Sequence, residues 1–248
     1  MMRRNVTLIA LVTLLFGLMG AGAALGQDYQ RSYTLPAHGS IRVTNVSGDV
    51  KVTGYGGNSI EVAAFKEGPD RDLVQIEDNS DANHVDLRVR YPESRNCNAS
   101  VNFELRVPQG IDYNYERLSS VSGSVVVDNV TGRLRAESVS GDVDITNVTG
   151  LVSASAVSGN VDVQINDLTG AGDMKFSSVS GSVNVKAPTS LDADIEMSSI
   201  SGSLKTNFPI EVQEQRYGPG RSARGRLGSG SHSLRITTVS GRVSLTHN

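Results

Sequence analysis

The stretch "SVSGSVVVDNVTGRLRAESVSGDVDITNVTGLVSASAVSGNVDV", Ser120 to Val163, states nearly the same unit three times. Taking the glycine of each Ser-Gly pair as origin aligns Gly123, Gly141 and Gly159, and outside this stretch Gly48, Gly181, Gly202 and Gly241. The preceding residue is always serine: Ser47, Ser122, Ser140, Ser158, Ser180, Ser201 and Ser240. Two before stands Val46, Val121, Val139, Val157, Val179, Ile200 or Val239. Two and four after stand pairs such as Val125/Val127, Val143/Ile145, Val161/Val163 and Val183/Val185. Period-two alternation of β-branched residues marks a strand with one buried face.

A second alternating segment precedes each Ser-Gly, as in Leu134/Ala136, Val152/Ala154, Met174/Phe176 and Leu234/Ile236. Between the two segments the apolar phase slips, and the slip reads as a corner at pairs such as Glu137-Ser138 or Ser198-Ser199. On this reading the valines on both sides of Ser-Gly wall the core, and the Ser-Gly serine bonds the corner backbone or the serine one coil above. Glycine serves a corner that excludes a Cβ. The opposite corner is "NVTG" at 129–132 and 147–150, where asparagine and glycine tolerate positive φ.

Successive corner glycines from Gly123 onward lie 18, 18, 22, 21 and 39 residues apart. Laps this thin bury an apolar face only when stacked. The expected fold is therefore all-β: a parallel β-solenoid with two strands per 18–22-residue coil, right-handed by the usual crossover preference. Each fully covered valine contributes about 1.5–3 kcal/mol. Residues 27–118 carry alternations such as "SIEVAAF", "VDLRVRY" and "VNFELRV" but only one Ser-Gly. They read as degenerate coils that cap the regular body at 119–248, since a solenoid end exposes unpaired edges.

Arg3 and Arg4, the apolar run "LIALVTLLFGLMGAGAAL" and the small residues before Gln27 form the layout of a secretory signal peptide over 1–26. The rival reading is a retained anchor. Cleavage removes two arginines and takes the formal charge from −3 to −5, a balance that disfavours nucleic-acid binding. The expected setting is periplasmic, cell-surface or extracellular, at most peripheral to a membrane. The single cysteine, Cys97 in "SRNCNAS", leaves stability to packing.

These units resemble a bacterial putative-adhesin family of secreted β-strand-repeat proteins with recurrent SVSGDV motifs. The matching stretches are "NVSGDVKVTG" (45–54), "SVSGSVVV" (120–127), "SVSGDVDI" (138–145), "SVSGSVNV" (178–185) and "TVSGRVSL" (238–245), with "FELRVPQG" at 103–110. The resemblance implies adhesion or scaffolding at the cell envelope and supplies no catalytic residues.

The residues themselves point to no enzyme. No histidine lies between His84 and His232 to serve a stacked serine as base. Asp144 and Asp162 stack beside Asn184, but the column continues with Lys51, Val126, Lys205 and Ser244, so it forms no metal-ligand array. A polysaccharide-acting β-helix is the rival enzyme class. It would need clustered acids and aromatic platforms, yet tryptophan is absent and all seven tyrosines lie outside 118–216. The sequons at Asn45, Asn129 and Asn147 recur with the repeat and read as corner chemistry. Neither cofactor nor metal is expected. The longest insertion, 208–232, is Gly-rich and carries Arg216, Arg221, Arg224 and Arg226, a candidate loop for an anionic glycan, lipid head group or acidic protein. The leading expectation is an adhesin or scaffold at the envelope; the alternative is an envelope-stress or signalling accessory that binds a partner protein.

Overall fold

A computed structural model describes residues 28–93, 96–210, 212–214 and 220–248. The expected signal peptide lies outside the described residues, as does Arg216. Everything described is strand and turn, apart from one 3-10 turn at Arg71–Leu73.

Two sheets face each other across the core. The first holds the strands that precede each Ser-Gly, in spatial order Gln75–Asp78, His84–Arg90, Ser40–Thr44, Asp112–Ser122, Thr131–Ser140, Val152–Ser158, Asp173–Ser180, His232–Ser240, Ala193–Ser201, Arg221–Leu227 and Val212–Glu214. The second holds Tyr29–Tyr33, Ile60–Glu67, Ser100–Pro108, Val50–Tyr55, Val125–Asp128, Val143–Thr149, Val161–Asp167, Val183–Ala187, Val243–His247 and Leu204–Thr206. Interior pairings are parallel and in register, as Val125↔Val143↔Val161↔Val183 shows. The architecture is a β-solenoid-like repeat.

Stacking does not follow chain order. The last coil, His232–His247, lies between the coil of 173–187 and that of 193–206. The first, Ser40–Tyr55, likewise lies between 84–108 and 112–128. Each of these two coils is thus covered on both faces, and the 39-residue lap arises because the chain runs outward before returning to fill the slot. Antiparallel strands finish both ends of the first sheet and one end of the second, while the other edge is the three-residue Leu204–Thr206. The edge strands are only three to five residues long, and short edges limit further pairing. At the start of the stack the hydroxyls of Tyr29 and Tyr33 each donate to Asp78 Oδ2 at 2.8 Å, tying one sheet's end to the other's.

The corner differs from the sequence reading. Alternation continues inward through the residue three before each glycine: Asn45, Ser120, Ser138, Ala156, Ser178, Ser199 and Thr238 are all buried. The valine two before is instead exposed, at 44% for Val139 and 48% for Val157. The phase changes at Ser-Gly itself, between Ser138 and Val143, and not at Glu137-Ser138. The hydroxyl that bonds the corner likewise belongs to the inner residue. Ser120, Ser138, Ser178, Ser199 and Thr238 donate to the carbonyls of Gly48, Gly123, Gly159, Gly241 and Gly181 at 2.8–3.0 Å. The serines of the Ser-Gly pairs, Ser122, Ser140, Ser158, Ser180, Ser201 and Ser240, stand exposed. The cause is space: the sheets converge here, so the inner position takes a small side chain that satisfies a carbonyl, and the wider valine turns outward.

Glycine at the corner answers a close approach. A Cβ on Gly141 would sit 2.3 Å from the Gly123 oxygen, and on Gly202 only 1.8 Å from that of Gly241. At the other corner Asn129 and Asn147 adopt φ of 58° and 55°, the conformation asparagine tolerates.

Candidate functional site: a serine-floored trench on the first sheet

Residues pointing inward on the first sheet are mostly apolar, so their neighbours along each strand must face solvent. Six before the glycine this places Arg42, Arg117, Arg135, Ser153, Lys175, Arg235 and Glu196 in adjacent coils. Cations stacked at roughly 4.8 Å repel by on the order of 1 kcal/mol per pair in water. Acids from the same and neighbouring columns relieve most of that. Arg42 meets Glu116 at 2.5 Å, Arg117 and Arg135 each meet Glu137 at 2.7 Å, and Arg235 meets Glu196 at 2.5 Å. Burial opposes ionisation of Glu137, but the two guanidiniums outweigh it and hold its carboxyl below the usual range. A bulge in Asp112–Ser122 sets Glu116 and Arg117 together opposite Arg135, which puts two charged side chains on the outer face in succession.

Short of its corner at Val157, the coil Val152–Ser158 carries only Ser153 and Ser155 on this face. Between the long side chains of Arg133, Arg135 and Glu137 on one side and Lys175 on the other, the serines form the floor of a trench of about 510 Å³. It runs into a depression of about 480 Å³ through Glu116 and Arg135, and into another of about 380 Å³ through Asn114, Arg133 and Leu151. Arg133 and Lys175 have no acidic partner among the described residues. The trench thus offers hydroxyl donors and acceptors on its floor and, on its walls, the cations Arg133 and Lys175 together with the acid Asp173, in shallow, open form. It contains no histidine or cysteine.

The Arg-bearing insertion is placed differently from its expected loop form. Arg221–Leu227 is a strand antiparallel to Ala193–Ser201. Arg226 pairs with Asp194 through two bonds of 2.6 and 2.9 Å, and Arg224 with Glu196 at 2.8 Å. These charges are spent within the chain, and Arg221 is engaged as well. On the second sheet, Asp144 lies in register with Asp162, whose carboxylate accepts from Asn184 Nδ2 at 2.7 Å. Among the described residues no group of three or more His, Cys, Asp and Glu could hold a metal ion. Cys97 is partly buried, with Sγ 3.9 Å from the Asp70 carbonyl. Asn45 is buried and donates to the carbonyls of Gly48 and Val101.

The six-before column was readable once the Ser-Gly units were aligned. The trench was not, because it depends on which coil is low between two high ones.

A family model described as Toastrack DUF4097, a domain of unknown function, matches residues 38–246. The chain belongs to this family. The Toastrack match reaches every described strand except Tyr29–Tyr33, including the coils of 40–108 that carry little of the repeat signature. Solved structures with similar coordinates include a putative cell adhesion protein from Clostridium sporogenes, 12% identical, covering 89% of this chain and 99% of its own at a TM-score of 0.40. A putative adhesin from Bacteroides fragilis is 18% identical, with 89% and 96% covered at 0.37. A putative lipid binding protein from Parabacteroides distasonis is 10% identical, with 89% and 96% covered at 0.34. No curated protein matches the Toastrack chain significantly in sequence.

Proposed function

We propose that this Toastrack protein is an exported, non-enzymatic adhesion or scaffold module of the bacterial envelope, and that its trench holds an extended anionic ligand, an acidic glycan. The observation that carries the reading is the placement of Arg133 and Lys175, two cations outside the ion pairs of this face, on either side of a serine floor, with Asp173 the one acid of the lining that is likewise outside them. A rigid sheet face presents them with no conformational rearrangement, which lowers the ordering cost of binding. Hydroxyls at Ser153, Ser155 and Ser177 match the hydrogen-bonding density of a sugar chain, while the cations select a carboxylated or sulfated one. Export rests on the layout of residues 1–26, and the winding is right-handed by the crossover preference.

The test is binding of acidic and neutral polysaccharides by the Arg133→Ser/Lys175→Ser variant. The wild type binds the acidic polymer with a salt-sensitive affinity, and the double variant loses about tenfold or more. Unchanged binding would remove the trench from the mechanism. Cleavage of the polymer, abolished in the same variant, would make the protein an enzyme.

A further inference from the structure

The outward turn of the corner valines leaves seven aliphatic side chains in one file. In spatial order they are Val46, Val121, Val139, Val157, Val179, Val239 and Ile200, each 40–54% exposed. Their rungs are fixed by the serine pairings Ser47↔Ser122, Ser122↔Ser140, Ser140↔Ser158, Ser158↔Ser180, Ser180↔Ser240 and Ser240↔Ser201. At about 4.8 Å per rung the file is a straight ridge roughly 29 Å long. It exposes on the order of 400 Å² of apolar surface, the size at which patches on monomers are commonly functional.

We propose that the ridge is a self-association surface, on which a second copy of this chain docks antiparallel about a two-fold axis at Val157. Three observations select this occupant. The ridge is convex and its backbone is spent on the ladder, as in Gly141 N–H to Ser158 carbonyl, so no foreign strand can pair there. Its regular repeat is matched by another copy of the same ridge. The third is charge. The column just past each glycine reads, in the same order, Asp49, Ser124, Asp142, Asn160, Ser182, Arg242 and Ser203. It is acidic toward one end and basic toward the other, and Arg242 forms no ion pair among the described residues.

A two-fold axis perpendicular to the ridge reverses the rungs but keeps each flank against its own counterpart. Rung six then faces rung two, and Arg242 of one copy falls between Asp49 and Asp142 of the other. A parallel pair would oppose this column with the other flank and lose that match. An anionic bilayer is disfavoured by Asp49 and Asp142 beside the ridge. With the flanking serine columns, the self-matched strip approaches the roughly 800 Å² per partner of a standard interface. The isologous arrangement closes on itself and leaves each trench on an outer sheet face.

Sedimentation of the full chain between about 1 and 100 μM tests the proposal, with a dimer expected toward the upper end. Val157→Glu places two like charges at the axis, so the variant is monomeric with an unchanged circular dichroism spectrum. Arg242→Glu weakens the dimer by about tenfold, and adding Asp49→Arg and Asp142→Arg restores it. In a Cys97→Ser background, Val157→Cys cross-links to itself under mild oxidation. Val46→Cys does so only when mixed with Ile200→Cys. A monomer at every concentration, a dimer indifferent to Val157→Glu, or equal self-cross-linking at every rung would each overturn the proposal. Trench binding is measured on the monomeric variant, so the two readings fail separately.

Discussion

The hydroxyl of Ser138 donates to the carbonyl of Gly123 at 2.9 Å, from one coil to the next. The same bond recurs with Ser120, Ser178, Ser199 and Thr238, and Ala156 takes the place without a hydroxyl. Ser138→Ala is expected to cost about 1 kcal/mol in urea denaturation, the net worth of one buried hydrogen bond. Ala156→Ser restores the column and stabilises by a similar amount. A cost near zero for Ser138→Ala would show that the corner is held by packing alone.

Two valines four residues apart are expected to behave oppositely. Val143 is fully buried between Val125 and Val161. Val143→Asp therefore strands a charge in the core and costs several kcal/mol. Val139→Asp, at an exposed ridge position, changes stability by no more than about 0.5 kcal/mol in dilute solution. Equal losses would contradict the outward turn of the corner valine.

Gly202→Ala drives a methyl to within 1.8 Å of the Gly241 oxygen, so the coils must separate there. The expected loss is about 2 kcal/mol or more in thermal melting, since a backbone atom cannot yield cheaply. Gly56→Ala, whose methyl meets nothing within 4 Å, serves as the tolerated control.

Asp144 titrates above the ordinary aspartate value of 3.8, first because burial disfavours its charge and then because Asp162 and Asp142 repel it. A carboxyl raised on folding destabilises the native state when ionised. That penalty is absent below 3.8 and present in full above the folded value. Asp144→Asn is therefore more stable than wild type near pH 7, and the gap closes as pH falls toward 3.8. Parallel urea titrations at several pH values measure the gap. A constant gap would sink the explanation.

Asp192 shows the opposite sign. The Ser229 hydroxyl and the Gly230 and Ser231 amides hold its carboxyl at about 2, against the opposition of burial. Its contribution is present above 3.8 and is lost as pH falls through about 2. Asp192→Asn therefore loosens the turn at 228–231 at neutral pH, seen as faster amide exchange at Gly230, and the difference vanishes in strong acid.

Hydrogen exchange also reads the coil order. Val243–His247 is flanked by strands on both sides, whereas Leu204–Thr206 is an edge. The final strand is expected to exchange near the global rate and 204–206 far faster. A chain stacked in sequence order would leave the last strand most exposed.

Residues 120–163 by themselves determined that the chain is a stack of short coils with aliphatic walls, glycine at one corner and asparagine at the other. Those signals are local: alternation, turn chemistry and a repeat too thin to stand alone. Only the tertiary structure decided which way Val139 and Ser138 face, because period-two alternation breaks at a corner and either residue satisfies it locally. The choice falls to the carbonyl of Gly123 and the narrow space beneath it, both supplied by another coil. For the same reason the pairing of Val183 with Val243, the pairing of Arg226 with Asp194 and the trench over Ser153 lay beyond the sequence. Each depends on which distant segment lies alongside, and the seven near-equivalent units could stack in many orders.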